Sequence, residues 1–243
     1  MSDARASRLA VSTVIFALRT DDDGLATLWT PLVRRTRDPH LGQWALPGGW
    51  LPSDEELEAA AARTLRSTTG LAPKYLEQLY TFGGVDRSPG DRVISVVYWA
   101  LVQSDEAERA AVGENVQWFA ADDLPALAFD HNAIIGYALW RLRTKMEYAR
   151  IAHAFLGETF TLAQLREVYE AVLQKPLDPA NFRRTIESTG TVAATGERLA
   201  GTPHRPPMLY RYDVATNLTD GTFTTRIPPG KPDPIKPHPR MRT

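Results

Sequence analysis

Apolar and polar positions alternate along this chain in two textures. In the first, residues 9–18 and 25–33 are rich in β-branched and apolar side chains, and the acidic, glycine-bearing stretch 20–24 between them reads as a turn joining two strands. A loop holding Gly42, Pro47, Gly48 and Gly49 leads into residues 53–69, where the pattern becomes helical and stops at Gly70, a residue suited to the left-handed position after a helix. Residues 75–82, 92–102 and 116–119 read as further strands. Residues 130–145 form a helix whose apolar stripe is Ile134, Ile135, Ala138, Leu139 and Leu142. Strands and helices thus mix within one module, expected to cover residues 1–145.

From residue 146 the texture is helix, helix, helix, hairpin. The first of these helices, 146–156, stops at Gly157. Thr161 followed by Gln164 is a capping-box signature ahead of Leu162, Leu165, Tyr169 and Val172, which share one helix face. Asp178 with Pro179 marks an N-cap and first-turn proline of a third helix that ends at Gly190 and turns Phe182 and Ile186 inward. Residues 191–195 and 208–212 pair as a hairpin around a long loop, 196–207. This second module is expected to cover 146–215. Residues 216–243 form a tail whose last part, 228–243, holds six prolines and four basic residues and is expected to be disordered.

Composition narrows the classes. A chain of 243 residues is comfortable for two modules. The lack of cysteine excludes disulfides, thiolate zinc sites and cysteine nucleophiles, and fits a reducing compartment, the cytoplasm being the expected location. Acidic Asp3 precedes the first apolar run and Asp21–Asp23 follow it, so it reads as a strand and not a signal peptide. No run reaches the roughly 18–20 apolar residues of a membrane helix, so a soluble protein is expected. The net charge of −1 hides an asymmetry: residues 1–145 carry 15 basic and 19 acidic side chains, residues 146–243 carry 13 and 10. Different partners for the two halves are the simplest reading.

Gly49, Glu55, Arg63, Leu65, Gly70 and Leu71, after the lead Trp44-Ala-Leu-Pro-Gly-Gly49, stand at the spacings of the Nudix box, and this segment resembles it. Thr64, Ser67 and Thr68 stand where that family has the three glutamates that hold magnesium in its active members. A hard dication needs anionic oxygens, which a neutral hydroxyl does not supply. The metal site and the hydrolysis that depends on it are therefore expected to be absent, with Glu55, Glu56 and Glu58 a solvated face. The cleft need not be lost. Gly48 and Gly49 permit close backbone approach, the helix start near Asp54 offers backbone donors, and Arg34, Arg35, Arg63, Arg87 and Arg92 are candidate phosphate contacts. Trp44 and Phe82 are either core residues or platforms for a base. Residues 33–49 and 80–102 resemble the cleft-lining segments of Nudix proteins that take ADP-ribose, which implies that ligand. The candidate ligand set is Arg35, Trp44, Gly48, Gly49, Arg63, Phe82, Arg87 and Arg92, with no cofactor expected.

Two helices and a hairpin in this order suit a winged helix-turn-helix. Burying Phe182 and Ile186 leaves Asn181, Arg183, Arg184 and Thr185 outward, and Arg and Asn pair with guanine and adenine edges. Arg198, His204 and Arg205 in the hairpin loop suit phosphate or minor-groove contact. A small helical domain with a solvated arginine pair is the plain alternative. Residues 160–212 resemble the C-terminal winged-helix domain of the Nudix-related transcriptional regulators of NAD metabolism, an arrangement matched over about residues 8–213. The resemblance implies an α/β fold, a Nudix α/β/α sandwich with a mixed sheet followed by a winged helix-turn-helix. It also implies an inert Nudix module sensing ADP-ribose, and a homodimer on a palindromic operator in double-stranded DNA that represses NAD biosynthesis or salvage genes. The competing reading is an ADP-sugar pyrophosphatase with an unusual metal site. A regulator responding to a sugar is a third.

Overall fold

All eight residues from 11 to 18 are buried in the first strand, as a strand covered on both faces requires. The computed structural model of the chain describes residues 7–20, 24–70, 75–108, 110, 114–148, 151–200 and 206–212. In chain order its elements are β1 (Arg8–Thr20), β2 (Ala26–Arg34), β3 (Trp44–Ala45), β4 (Gly48–Trp50), α1 (Leu57–Thr69), β5 (Tyr75–Phe82), β6 (Val93–Val102), α2 (Ser104–Glu108), β7 (Val116–Ala120) and α3 (His131–Tyr148). A single 3-10 turn (Ile151–Phe155) follows, then α4 (Leu162–Leu173), α5 (Pro179–Ser188), β8 (Val192–Arg198) and β9 (Met208–Tyr212). Of the features read from the sequence, turn residues 21–23, Leu71 of the box, His204, Arg205 and the tail from 213 onward lie outside the described residues.

The first seven strands form one mixed sheet with the path β3-β2-β1-β6-β5; β4 pairs with β1, and β7 with β2. β1 and β6 run parallel over ten partners, Arg8↔Val93 to Ala17↔Val102, and the other pairs are antiparallel. Alternate residues of β1 serve opposite faces. Ile15 and Ala17 pack with Leu65, and Val11 with Ala60 and Ala61, on the side of α1. Val14, Phe16 and Leu18 join Trp99, Ile134, Ile135 and Leu142 on the side of α3. The result is the α/β/α sandwich with a mixed sheet.

The same core continues past α3 through Met146, Ile151 and Phe155 to Val172, Phe182 and Ile186. α3 runs unbroken across positions 145 and 146, and all described residues fall in the compact unit ending at Tyr212. α4 carries the expected capping box: Thr161 Oγ1 accepts the Gln164 N–H at 3.2 Å, and Gln164 Oε1 accepts the Thr161 N–H at 2.8 Å. Asp178 caps α5 by accepting the Asn181 N–H at 2.8 Å, with Pro179 in the first turn. Paired backbone bonds between Phe160 and Tyr210, 2.9 and 2.8 Å, fasten the β8–β9 hairpin beside the start of α4. This is a winged helix-turn-helix. Among the described residues, no helix is long and apolar enough to cross a membrane.

Several boundaries differ from expectation. α1 begins at Leu57 and not at 53, because Glu56 is extended and Glu55 turns its carboxylate back onto Arg63. β3 and β4 occupy a stretch read as loop; they are two and three residues long and exist through pairing with β2 and β1. α2 was not foreseen. The helix expected over 146–156 is divided: its first residues extend α3, and 151–155 wind as a 3-10 turn that buries four of five side chains, leaving no polar face for an amphipathic helix. β8 extends to Arg198, which is therefore a strand residue and not part of the hairpin loop.

His131, 6% exposed at the start of α3, accepts the Leu46 N–H on Nδ1 at 2.9 Å and so holds the segment before β4. Burial pushes its pKa down to about 4, with Asp130 opposing and Arg87, Arg35 and His40 reinforcing. The folded chain keeps His131 neutral where the unfolded chain, with a pKa of about 6.5, takes up a proton. The resulting stability is fully present above about pH 6.5 and is lost as pH falls toward 4. Denaturant melts should show the wild type losing about 2–3 kcal/mol more than His131→Asn between pH 7.5 and 4.5. Equal pH slopes in the two proteins would refute this.

Candidate functional site

Where β4 lies against β1, the sheet opens into a cleft of about 570 Å³. Gly48 makes this junction possible. A Cβ there would sit 2.7 Å from the Val11 carbonyl and 2.8 Å from Ser12 Oγ, so the residue serves the packing of β4 on β1. Gly49 has nothing within 4 Å of its Cβ direction and leaves bare backbone on the cleft wall.

Five arginines line the cleft, Arg8, Arg34, Arg35, Arg37 and Arg87, against two aspartates, Asp38 and Asp91. The field favours an anion, and the planar forked donors of arginine suit phosphate oxygens. Arg35 lies 4.6 Å above the Phe129 ring and donates through Nε to the Pro39 carbonyl at 2.8 Å. Partial burial lowers its pKa, an effect opposed by Asp38, yet a guanidinium stays charged at any physiological pH. Phe129 and His40, whose rings meet edge to face at 4.7 Å, both have left-handed backbones, with φ of 58° and 67°. Such strain in non-glycine residues is held by surrounding contacts and clusters at functional sites. One such contact is the bond from the Ala128 N–H to the Trp44 carbonyl, 2.8 Å. The Arg87 side chain, 7% exposed, is fixed by a two-pronged pair with Asp130 at 3.0 and 2.7 Å. At the rim, Arg8 stacks 3.6 Å over the half-exposed Trp50 and pairs with Asp91 at 3.0 Å.

Of the ligand set read from the sequence, Arg35, Gly48, Gly49 and Arg87 come together here. The other four are placed elsewhere. Trp44 packs on Phe119 at the core margin, with ring centroids 5.2 Å apart. Arg63 is a surface residue clamped to Glu55 at 2.7 and 2.6 Å, which raises its pKa and lowers that of Glu55. Phe82 belongs to an aromatic group with Tyr80 and Tyr137. Arg92 pins the β5–β6 loop through the Gly84 carbonyl at 3.1 Å. Arg8, Arg37, Trp50, Phe129 and His131 line the cleft without having been singled out. Only the Arg34–Arg37 cluster carried a local signal; the others are brought in by strand pairing and by the turn before α3.

The box positions show what replaced the glutamates. Thr64 is buried, and Ser67 Oγ and Thr68 Oγ1 both donate to its carbonyl, at 2.9 and 2.8 Å. Their hydroxyls are turned onto the helix's own backbone. This neutral, inward-turned set does not fit magnesium, which requires carboxylate oxygens in near-octahedral array. Among the described residues, no group of three or more His, Cys, Asp or Glu side chains is disposed to hold a metal ion.

On the other module, α5 exposes Asn181, Arg183, Arg184 and Thr185 while burying Phe182 and Ile186. Arg183 is paired with Glu187 at 3.0 Å and Arg184 with Asn181 at 2.7 Å, both on the solvent side. Arg198, on β8, donates to the Pro206 carbonyl at 2.7 Å across the hairpin. His204 and Arg205 fall outside the described residues. An exposed Arg/Asn face beside a β-hairpin is the geometry by which a winged helix meets a groove and its phosphates.

Residues 8–138 match the NUDIX domain family and residues 152–212 the NrtR DNA-binding winged helix domain. The chain is 33% identical over 206 residues to the ADPR responsive transcriptional repressor NtrR of Acinetobacter baylyi, covering 82% of this chain and 81% of that one. It is 36% identical over 111 residues to an ADP-ribose pyrophosphatase of Methanocaldococcus jannaschii, covering 45% of this chain and 66% of the relative. The crystal structure of Shewanella oneidensis NrtR complexed with a 27mer DNA superposes with a TM-score of 0.71 at 33% identity, over 86% of this chain and 94% of that one. With a NUDIX fold around an arginine-lined cleft and a winged helix sharing its core, the chain belongs to the Nudix-related transcriptional regulators of the NrtR type.

Proposed function

We propose that this chain is an ADP-ribose-responsive transcriptional repressor acting on NAD biosynthesis or salvage genes, with a NUDIX module that binds its ligand without hydrolysing it. The observation that carries this reading is one compact unit holding both a cationic cleft and an outward Arg/Asn helix face. A nucleoside diphosphate sugar, with its two linked phosphates, matches the arginines of the cleft, and α5 matches the chemistry of base edges. The relatives support the ligand: one is ADPR responsive by name, and another is a pyrophosphatase of ADP-ribose. The repressor works in the cytoplasm as a homodimer, whose two copies of α5 reach half-sites about one helical turn apart, or a multiple of that. Regulation requires that ADP-ribose bind the free and the DNA-bound forms unequally; equal affinity gives no response.

A mobility shift on a duplex from the region upstream of the chain's own gene tests this directly. The protein should bind that duplex, and ADP-ribose should change the affinity by about fivefold or more. No binding, or binding indifferent to the nucleotide, would refute the proposal. In the same assay Arg183→Ala and Arg184→Ala should lose discrimination against mismatched duplexes, by about 1–3 kcal/mol where the side chain reads a base. The exposed pairs these arginines now make are worth at most about 1 kcal/mol and do not prevent the exchange.

The second reading, an ADP-sugar pyrophosphatase, is favoured by the 36% identity to an enzyme of that activity. The hydroxyls at Thr64, Ser67 and Thr68 oppose it, since among the described residues no cluster of carboxylates takes their place to hold the metal that would activate water and shield the leaving phosphate. Incubation of the protein with ADP-ribose and magnesium or manganese should release AMP no faster than the same mixture without protein. Metal-dependent turnover would overturn the non-hydrolytic reading.

A further inference from the structure

α3 begins at the cleft and ends at the winged helix. At its start, Asp130 holds Arg87, His131 receives the Leu46 N–H, and Phe129 lies under Arg35. Twelve residues beyond His131, a distance of about 18 Å along the helix axis, Arg143 reaches sideways to α4. Its Nε donates to the Val172 carbonyl at 2.9 Å, and its Nη2 approaches both oxygens of Asp122 at 2.7 and 2.9 Å. Gln174 Nε2 donates to the same carboxylate at 2.7 Å.

Each partner matters to the orientation of α4. Val172 carries one of the last carbonyls of that helix, which have no intrahelical donor and bear the negative end of its dipole, where a guanidinium is favourable. Gln174 is its C-cap, held in the left-handed region at φ 51°. Asp122 lies two residues after β7, which pairs with β2, the strand that delivers Arg34 to the cleft. Beyond the cap, α4 fixes the turn into α5: Glu170 accepts the Leu177 N–H at 2.7 Å, and Arg166 donates to the Leu177 carbonyl at 3.2 Å. Moving α4 therefore moves α5.

At the other end, the Arg87–Asp130 pair is poised for exchange. A phosphate in the cleft offers Arg87 a second anionic partner, and Asp130 is the residue immediately before α3. We infer that Arg143 is the coupling residue of the protein. Through Asp122 and the Val172 carbonyl, it makes the orientation of α4 and α5 follow a shift of α3 that begins when phosphate competes with Asp130 for Arg87. The inference rests on the sensor reading proposed above. Arg143 is a positioning residue; it does not line the cleft and is not on α5.

The full chain and its Arg143→Ala, Arg143→Lys and Asp122→Asn variants test this, with folding checked by circular dichroism. Calorimetry should give each DNA-free variant an ADP-ribose affinity within about threefold of wild type, while the effect of ADP-ribose on binding to the upstream duplex, about fivefold or more in wild type, falls below about twofold in Arg143→Ala and Asp122→Asn. Arg143→Lys should recover part of the effect, since an ammonium reaches the carboxylate or the carbonyl but not both with a fork's geometry. If Arg143→Ala does not fold, the Lys and Asn variants decide. Folded variants that respond as fully as wild type overturn the coupling role alone. Loss of ADP-ribose binding in the variants also overturns it, by making Arg143 a support of the cleft. A wild-type protein indifferent to ADP-ribose overturns the sensor reading and the coupling with it.

Discussion

Backbone contact between Gly48 and β1 sets the geometry of the whole ligand-facing half. The chain has no room for a methyl group there, since the nearest atoms are the carbonyl and side chain of a strand already buried on both faces. Because β4 is pressed home, Gly49 and Trp50 come out on the cleft wall, and Leu46 comes within reach of His131 on α3. The His131 bond in turn needs a neutral imidazole, which burial enforces with the help of Arg87, Arg35 and His40. One steric requirement thus ties sheet, cleft and the long helix into a single arrangement.

The box helix keeps its shape with hydroxyls at the positions where the family's active members carry glutamates. Gly49, Glu55, Arg63 and Gly70 retain structural jobs: bare backbone at the cleft, a surface clamp at the helix entry, and a left-handed stop at φ 73°. These tasks are independent of metal. The hydroxyls of Ser67 and Thr68 are satisfied by their own helix, so the substitution leaves no polar group stranded. The helix's fold and its packing of Ala60, Ala61 and Leu65 against the sheet are thus indifferent to the exchange of carboxylates for hydroxyls.

Legibility followed locality. The capping box at Thr161, the Asp178–Pro179 start and the Gly70 stop are written in neighbouring residues, and the structure realises each. The doubly buried β1 and the apolar stripe of α3 were equally plain. Two- and three-residue strands such as β3 and β4 carry no period of their own, and the 3-10 turn after α3 hides its polar groups by packing instead of by pattern. The cleft was half legible for the same reason. Arg35, Gly48 and Gly49 lie in one continuous segment, and Arg87 was reached through the resemblance. Arg8 and Trp50 meet across strands some forty positions apart, and Phe129 owes its place to an unusual backbone angle. Trp44, Arg63, Phe82 and Arg92 sit near the cleft in sequence but turn to the core, the surface, an aromatic group and a loop.

The acid on α5 bears on how this helix behaves on the wrong DNA. Glu187 neutralises Arg183 one turn away and also accepts the Tyr210 hydroxyl at 3.1 Å, which ties the charge pair to the hairpin. With Arg184 the only other charged side chain on the helix, α5 presents a single net positive charge to the phosphates. Attraction that ignores sequence grows with the number of phosphates neutralised. A helix so nearly balanced draws little attraction of its own from random duplex, so any preference it has for one sequence must come from contacts other than phosphate charge.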